Sequence, residues 1–325
     1  MAEYHIIKLT SLSPLHLGTG KENYDFSASQ LQSDTISAAI AAIRCQQGKA
    51  DDIKNFIESF TVSSAFPFYK DKLYMPKPQG RIEQISVLGK EEHEYRKKLK
   101  KVKYIDICLW NKLINGERIC IEDYQIQNGF IVTGHEKPVT YKSQVMQRVT
   151  VPRKDGEDAQ PFFFNWQYFH PESGLFCILD CDSSILGEII ELFTLLGENG
   201  LGTDKNIGGG KFTVETSKIY IKEVQEPKSI LLLSTYLPTE QELSSINLHS
   251  SKYRIITRGG YMAGSNQVTF RHLRKRSVYM FDYGSLLCTT NTLKGKTVDL
   301  APSWNDEKMH PVYRSGHPLC IPVKL

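Results

Sequence analysis

The chain has 325 residues, 40% hydrophobic and 23% charged, with a formal net charge of +4. This composition suits a folded globular protein of about two ordinary domains and excludes a disordered or fibrous chain. No apolar run approaches the ~20 residues that span a bilayer, and "MAEYHIIKLT" lacks the basic region and long apolar core of a secretion signal, so no membrane partner and a cytoplasmic location are expected.

Residues 4–9 alternate well enough for a first strand, which "SPLHLGTG" ends with Pro14, Gly18 and Gly20. "SDTISAAIAAIRCQQG" reads as a helix: Ser33 or Asp34 caps it, Ile36, Ala39, Ile40 and Ile43 form its apolar stripe, and Gly48 lies past its end. From about 75 to 165 prolines 76, 78, 138, 152 and 161 break the pattern, as in one long insertion or several elaborated loops. Within it, "KEEHEYRKKLKKVK" places acids early and bases late, as a helix dipole prefers; its six basic residues from Arg96 to Lys103 read as a solvated helix face. "QRVTVPRKDGEDAQPFFFN" has the form of a hairpin arm with a charged tip.

"SGLFCILDCD" is a strand, "SSILGEIIELFTLLGENG" a second apolar helix and "KFTVETSKIYI" a further strand. The seven cysteines are scattered, as expected of reduced thiols. Cys177 and Cys181, the one close pair, sit in what reads as a buried strand, so no metal is expected. "VQEPKS" reads as a linker, after which Thr239 and Glu242 make a capping box and "YRIIT", "SVYMF", "SLLCT" and "CIPV" are strands. The expected fold class is α+β, built of two tandem ferredoxin-like (RRM-like) units. Residues 1–225 form the first, with a thumb-like insertion at about 75–165, and 226–325 a degenerate second one.

Between the second helix and its following strand lies "GLGTDKNIGGGKFTVE", with Gly200, Gly202, Gly208, Gly209 and Gly210 inside eleven residues. A Walker A loop is excluded. Phe212 follows Gly210-Lys211 where Ser or Thr is needed, Lys205 stands where the first glycine belongs, and the loop opens a strand instead of a helix. No nucleotide or other cofactor is expected. Glycines let a backbone approach a phosphate closely, and successive N–H groups form an anion nest. The loop is therefore expected to lie against a phosphate. The alternative is a glycine turn needed only for packing.

"PLHLGTG", "SDTISAAIAA" and "GLGTDKNIGGGKF" together resemble the RAMP superfamily of CRISPR-associated RNA-binding proteins. "RGGYMAG", "RKRSVYMFDYGSLL" and "VYRSGHPLCIPV" narrow the likeness to the crRNA-cap subunits of type III-A (Csm) effector complexes. The resemblance implies a non-catalytic subunit that grips the 5′ handle of crRNA for antiviral defence. It also implies contact with a large polymerase-like subunit and a backbone RAMP subunit, and a thumb near the first guide–target positions of target RNA. With that resemblance the glycine loop is expected to lie against RNA backbone, with Lys205 and Lys211 adding charge and Asn206 a base or ribose contact; Gly18 and Ser33, in the motifs that carry the likeness, join these expected RNA contacts. Arg148 and Arg153 on the thumb suit phosphates, and Arg258, Gly260 and Tyr261 offer a second backbone-approach site with a stacking ring. The block Arg271–Arg276 suits RNA or an acidic partner. His16 reads as a core residue, an RNA contact or, in an RNA-cleaving relative, a general base. The partner group such catalysis needs is not visible in the sequence, and no catalytic residue is expected. The rival readings are a precursor-crRNA-processing endoribonuclease of the same superfamily and the cap subunit of a type III-B complex.

Overall fold

A computed structural model describes residues 2–19, 24–152, 156, 158–262, 264–265, 267–289, 291–303 and 309–325. Its first strand, β1 (Ala2–Thr10), sends Ile6 to one side and Ile7 and Leu9 to the other, as a two-residue repeat requires. Helix α1 (Ser33–Gln46) follows, then β2 (Phe66–Tyr69), β3 (Ser173–Cys181), α2 (Ser183–Asn199) and β4 (Thr213–Ile221). The strands lie in the order β4-β1-β3-β2, antiparallel throughout, with Ile7 opposite Cys177 and Thr216. A short strand, Phe60–Val62, also pairs with β3. The insertion extends the sheet beyond β2 with strands Lys72–Pro76, Tyr104–Asp106, Phe130–Ile131 and Ile126–Gln127.

Both faces of this sheet are buried. On one, Ile7, Leu9, Cys177 and Leu179 meet Ile36 and Ile40 of α1 and Leu192 and Phe193 of α2. On the other, Ile6, Phe66, Phe176 and Ile178 meet Trp110 of the insertion and Leu231, Leu233, Ile321 and Val323 of the C-terminal unit. That explains the unbroken apolar run "FCIL" in β3, the pattern of a strand covered twice. Trp110 is fully buried and donates its indole N–H to the Pro76 carbonyl at 3.0 Å, so the large ring leaves no polar group unpaired.

The C-terminal unit carries a four-stranded sheet in the order Asn247–Lys252, Leu286–Cys288, Ser229–Leu232, Cys320–Val323. Its helix Glu240–Ser245 has the expected box of Thr239 and Glu242. The chain is thus a mixed α+β protein with several sheets, and no helix among the described residues is long and apolar enough to cross a membrane.

A polar seam joins the two units at the start of α1. The helix begins at Ser33 with Gln32 as its N-cap, so neither Ser33 nor Asp34 caps it as the sequence suggested. Both side chains turn instead toward the C-terminal unit. Ser33 Oγ lies 2.8 Å from Thr235 Oγ1 and accepts the Thr235 N–H at 2.9 Å. Gln32 Nε2 donates to Asp282 Oδ1 at 3.2 Å. Asp34, fully buried, pairs with the guanidinium groups of Arg258, at 2.9 Å, and of buried Arg314. A buried ion left without its partner is strongly unfavourable. Arg314→Ala or Asp34→Ala should therefore lower unfolding free energy by about 3–5 kcal/mol in urea titrations. Arg258→Ala, at a side chain 25% exposed, should cost nearer 1 kcal/mol. Equal small losses for all three would show that the seam does not hold the units.

Candidate nucleic-acid interface

The thumb is a hairpin of two ten-residue strands, Tyr141–Thr150 and Gln160–Phe169, longer at its base than its sequence pattern suggested. Arg153 and most of the charged tip lie outside the described residues. Cross-strand partners share a face, so Arg148 and Phe162, Met146 and Phe164, and Gln144 and Trp166 line one side. That side packs against the glycine loop. Trp166 is buried with its ring edge where Gly209 would carry a Cβ, 2.7 Å away. The Arg148 guanidinium sits 4.7 Å over the Phe164 ring and 5.7 Å from that of Trp166, and pairs with Asp204 of the loop. Arg148 is therefore a clasp between thumb and loop instead of a free phosphate ligand. Asp204 takes a left-handed backbone at φ 61° and, with Trp166, is a residue the sequence reasoning missed. Its signal was an acid inside a basic loop; that of Trp166 was its place in the alternating "PFFFNWQYF".

The glycines meet the protein's own backbone. A side chain at Gly210 would strike the Leu201 carbonyl, one at Gly202 the His16 carbonyl, and one at Gly200 the Gly209 carbonyl at 2.5 Å. All three have positive φ, 69°, 85° and 83°, where glycine alone is unstrained. Nor do the amides of Gly208, Gly209 and Gly210 form the expected anion nest. They donate inward to Lys205 O, Asp204 O and Pro14 O at 3.0, 3.2 and 2.9 Å. The amide of Lys211 donates to Ser13 Oγ at 2.7 Å, and Ser13 Oγ in turn donates to Gly208 O at 2.8 Å. The reason is loop closure: a chain folded back on itself over so few residues has no room for Cβ atoms. Gly208 alone of the triplet has open space beside it, at φ 88°.

His16 is 1% exposed. Its Nδ1 lies 2.8 Å from the Asn165 carbonyl, which can only accept, so Nδ1 carries the proton. Its ring rests 4.4 Å from Phe164, and its own carbonyl accepts the Thr203 N–H at 3.0 Å. The structure thus gives the core reading of His16: it welds the end of β1, the thumb and the glycine loop. Ser33 is buried in the seam and does not reach a surface where RNA could lie.

The second expected site is likewise engaged internally. Arg258 is held by Asp34 and donates to Thr35 Oγ1 at 2.7 Å. The Arg274 guanidinium covers the Tyr261 ring at 5.2 Å, and Gly260 has φ 107° beside Lys275. In the block Arg271–Arg276, Arg271 donates to Ser265 O, and Arg276 to Ala301 O and Asp299 O, at 2.7–2.9 Å. These cations close loops on backbone carbonyls.

What the loop leaves to solvent is Lys205, Asn206, Ile207 and Lys211, with Gly18 nearby; the Gly18 Cβ position lies 3.8 Å from Thr203 Oγ1. Tyr24, 46% exposed, stacks on Phe164 at 5.9 Å and meets Phe162 edge-on at 6.1 Å. The loop thus offers two cations and an amide and the thumb side an exposed aromatic ring, the mixture single-stranded nucleic acid asks for. Lone in its stretch of sequence, Tyr24 carried no signal.

Residues 225–323 match the family model of the CRISPR Csm4 C-terminal domain. A curated relative, the CRISPR system protein Csm4 of Thermococcus onnurineus (strain NA1), is 25% identical over 262 residues, which cover 77% of this chain and 81% of the relative. The C-terminal unit thus matches a Csm4 C-terminal domain, and the chain is similar to Csm4 over most of its length. Its fold is that of a chain in the crystal structure of a Csm3-Csm4 subcomplex of the type III-A interference complex. The TM-score there is 0.64 at 17% identity, with 99% of this chain and 100% of the other covered. A chain of a Csm1-Csm4 cassette solved with cA4 gives 0.63 at 18% identity, over 100% and 99% of the two chains.

The loop geometry separates two glycines of one triplet. Gly208→Ala should cost about 1–2 kcal/mol, the strain of its backbone alone. Gly210→Ala adds a collision with Leu201 and should cost about 3 kcal/mol or more. Chemical denaturation of the two variants checks this; the reverse order would mean that the loop is open in solution.

Proposed function

We propose that this chain is the crRNA-binding cap subunit of a type III-A CRISPR interference complex and has no catalytic role of its own. The relatives support the assembly: the similar chains come from structures with Csm1 and with Csm3, which makes a large polymerase-like subunit and a backbone RAMP subunit the proposed partners. The strand order β4-β1-β3-β2 with α1 and α2 on one face supports an RRM-like reading of the first unit, and the smaller C-terminal sheet with its single helix supports a degenerate second one.

One observation carries the RNA reading. An RRM stacks bases on the open face of its sheet. Here that face is filled by Trp110 and by Leu231, Leu233 and Ile321, so RNA is left to the loops and the thumb. Lys205, Asn206 and Lys211 then supply phosphate and sugar contacts, and Tyr24 a stacking ring, for the 5′ handle of crRNA. The thumb beside them lies where the handle gives way to the guide, near the first positions of a target RNA. Absence of catalysis is supported by His16, whose buried ring has Nδ1 engaged with a backbone carbonyl and Phe164 packed against it.

The test uses an oligonucleotide copied from the 5′ end of the RNA that co-purifies with the chain. Lys205→Ala and Lys211→Ala should each make the salt dependence of binding shallower by about 0.7 in log–log slope. Tyr24→Ala should lose about 1–3 kcal/mol without changing the slope. Unchanged binding in all three would place the RNA elsewhere. Metal-independent cleavage of a repeat RNA, lost in His16→Ala, would favour the processing endoribonuclease instead.

A further inference from the structure

The insertion presents a second, separate band of positive charge. Its helix, Glu92–Lys101, starts with a capping box of Glu91 and Glu94 and buries one side through Tyr95, with half-buried Leu99 and, just past its end, Val102. At 100° per residue, Arg96, Lys97, Lys100 and Lys101 fall on the opposite side, and all four are exposed. Exposed Lys103 extends the row. Nearby carboxylates are already committed: Asp123 pairs with Lys98 at 2.6 Å and Lys90 at 3.0 Å, and Glu92 pairs with Arg81 at 2.5 Å. The four outer cations have no ion-pair partner among the described residues. Arg96 with Lys100, and Lys97 with Lys101, are like charges one turn apart, which repel. Glu94 shares this side one turn before Lys97, but its carboxylate accepts the Glu91 N–H at 2.6 Å; a merely soluble face would gain from acids placed among the bases, and none stands between Arg96 and Lys103.

We propose that this outer face is a nucleic-acid contact surface that grips a phosphate backbone without reading sequence. It is distinct from the glycine loop. The loop leads into β4 at one edge of the nine-stranded sheet. The basic helix docks at the other, where the Lys103 N–H donates to Gly129 O at 2.7 Å beside strands Ile126–Gln127 and Phe130–Ile131. Charge complementarity selects the occupant. Four to five unpaired cations in a row suit a polyanion with regularly repeated charge. No aromatic ring stands on the outer face, so stacking recognition of bases has no platform there, and the binding tolerates any sequence.

The test compares the full chain with a variant carrying Arg96→Gln, Lys97→Gln, Lys100→Gln and Lys101→Gln. The probes are a fluorescent single-stranded oligo-U RNA, a single-stranded oligo-dT of equal length and an oligoglutamate peptide, titrated across several salt concentrations. If two to four of these cations meet phosphates, the log–log salt slope for the single strands falls by about 1.4–2.8, and affinity near 0.1 M salt drops more than tenfold. Equal losses for RNA and DNA mean the backbone alone is held; loss for RNA only means the 2′-hydroxyl is read as well, and both outcomes support the surface. An unchanged slope overturns the proposal. So does loss of oligoglutamate binding with nucleic-acid binding intact, which makes the face a dock for an acidic protein. The melting temperature should stay or rise, since only like-charge repulsion is removed; should the variant fold poorly, Lys97→Glu with Lys101→Glu repeats the measurement. Lys205→Ala with Lys211→Ala, tested alongside, reports on the loop independently, so either surface can fail without the other.

Discussion

The central sheet is buried on both of its faces, and the rest of the molecule follows from that constraint. One face is closed by α1 and α2 through Ile36, Ile40, Leu192 and Phe193. The other is closed by the insertion and the C-terminal unit through Trp110, Leu231 and Ile321. The apolar area removed from water there, at roughly 25 cal/mol per Å², makes exposing either face prohibitive. A sheet closed in this way cannot offer its surface to a ligand. Any contact with a partner or an RNA must be made by edges, loops and projecting arms.

Those projections need stiffening, and the structure does it with few side chains. Trp166 against Gly209 and Arg148 against Asp204 bind the thumb's base to the glycine loop. His16 ties both to the end of β1 through Asn165 O and the Thr203 N–H. None of these groups is free for a ligand, yet together they determine where Lys205, Asn206, Lys211 and Tyr24 stand. Preorganised donors on a rigid frame lose less entropy on binding than mobile ones. Inward-facing glycines and an engaged arginine are therefore a second layer under the proposed RNA contacts.

The polar seam at α1 has a similar logic. Gln32, Ser33, Asp34 and Thr35 each reach a group of the C-terminal unit: Asp282, Thr235, Arg314 and Arg258. Apolar packing alone is tolerant of small slides between layers, whereas directed hydrogen bonds and a buried ion pair specify one arrangement. Ser33 and Asp34, which looked like a cap, and Arg258, expected in a second RNA site, are engaged in registering the two units.

Much was legible in the chain itself. Alternation identified β1, an apolar stripe α1 and apolar runs β3 and α2; the basic helix followed from the ordering of acids and bases, and the capping box from the spacing of Thr239 and Glu242. These are local properties, set by the backbone's own periodicities and by partners three or four residues away. What the glycines of 200–210 are for, and whether Arg148, Arg258, Ser33 and His16 face solvent, depended on residues up to 280 positions distant. Trp166 lies under Gly209, Asp204 meets Arg148, Asp34 draws in Arg258 and Arg314, and Asn165 O accepts the hydrogen bond from His16 Nδ1–H. A charge or a glycine shows in sequence only that it is available. Tertiary packing decides whether its partner is another part of the chain or something outside it, because the cost of burying a charge or a Cβ is set by neighbours that only the fold brings near.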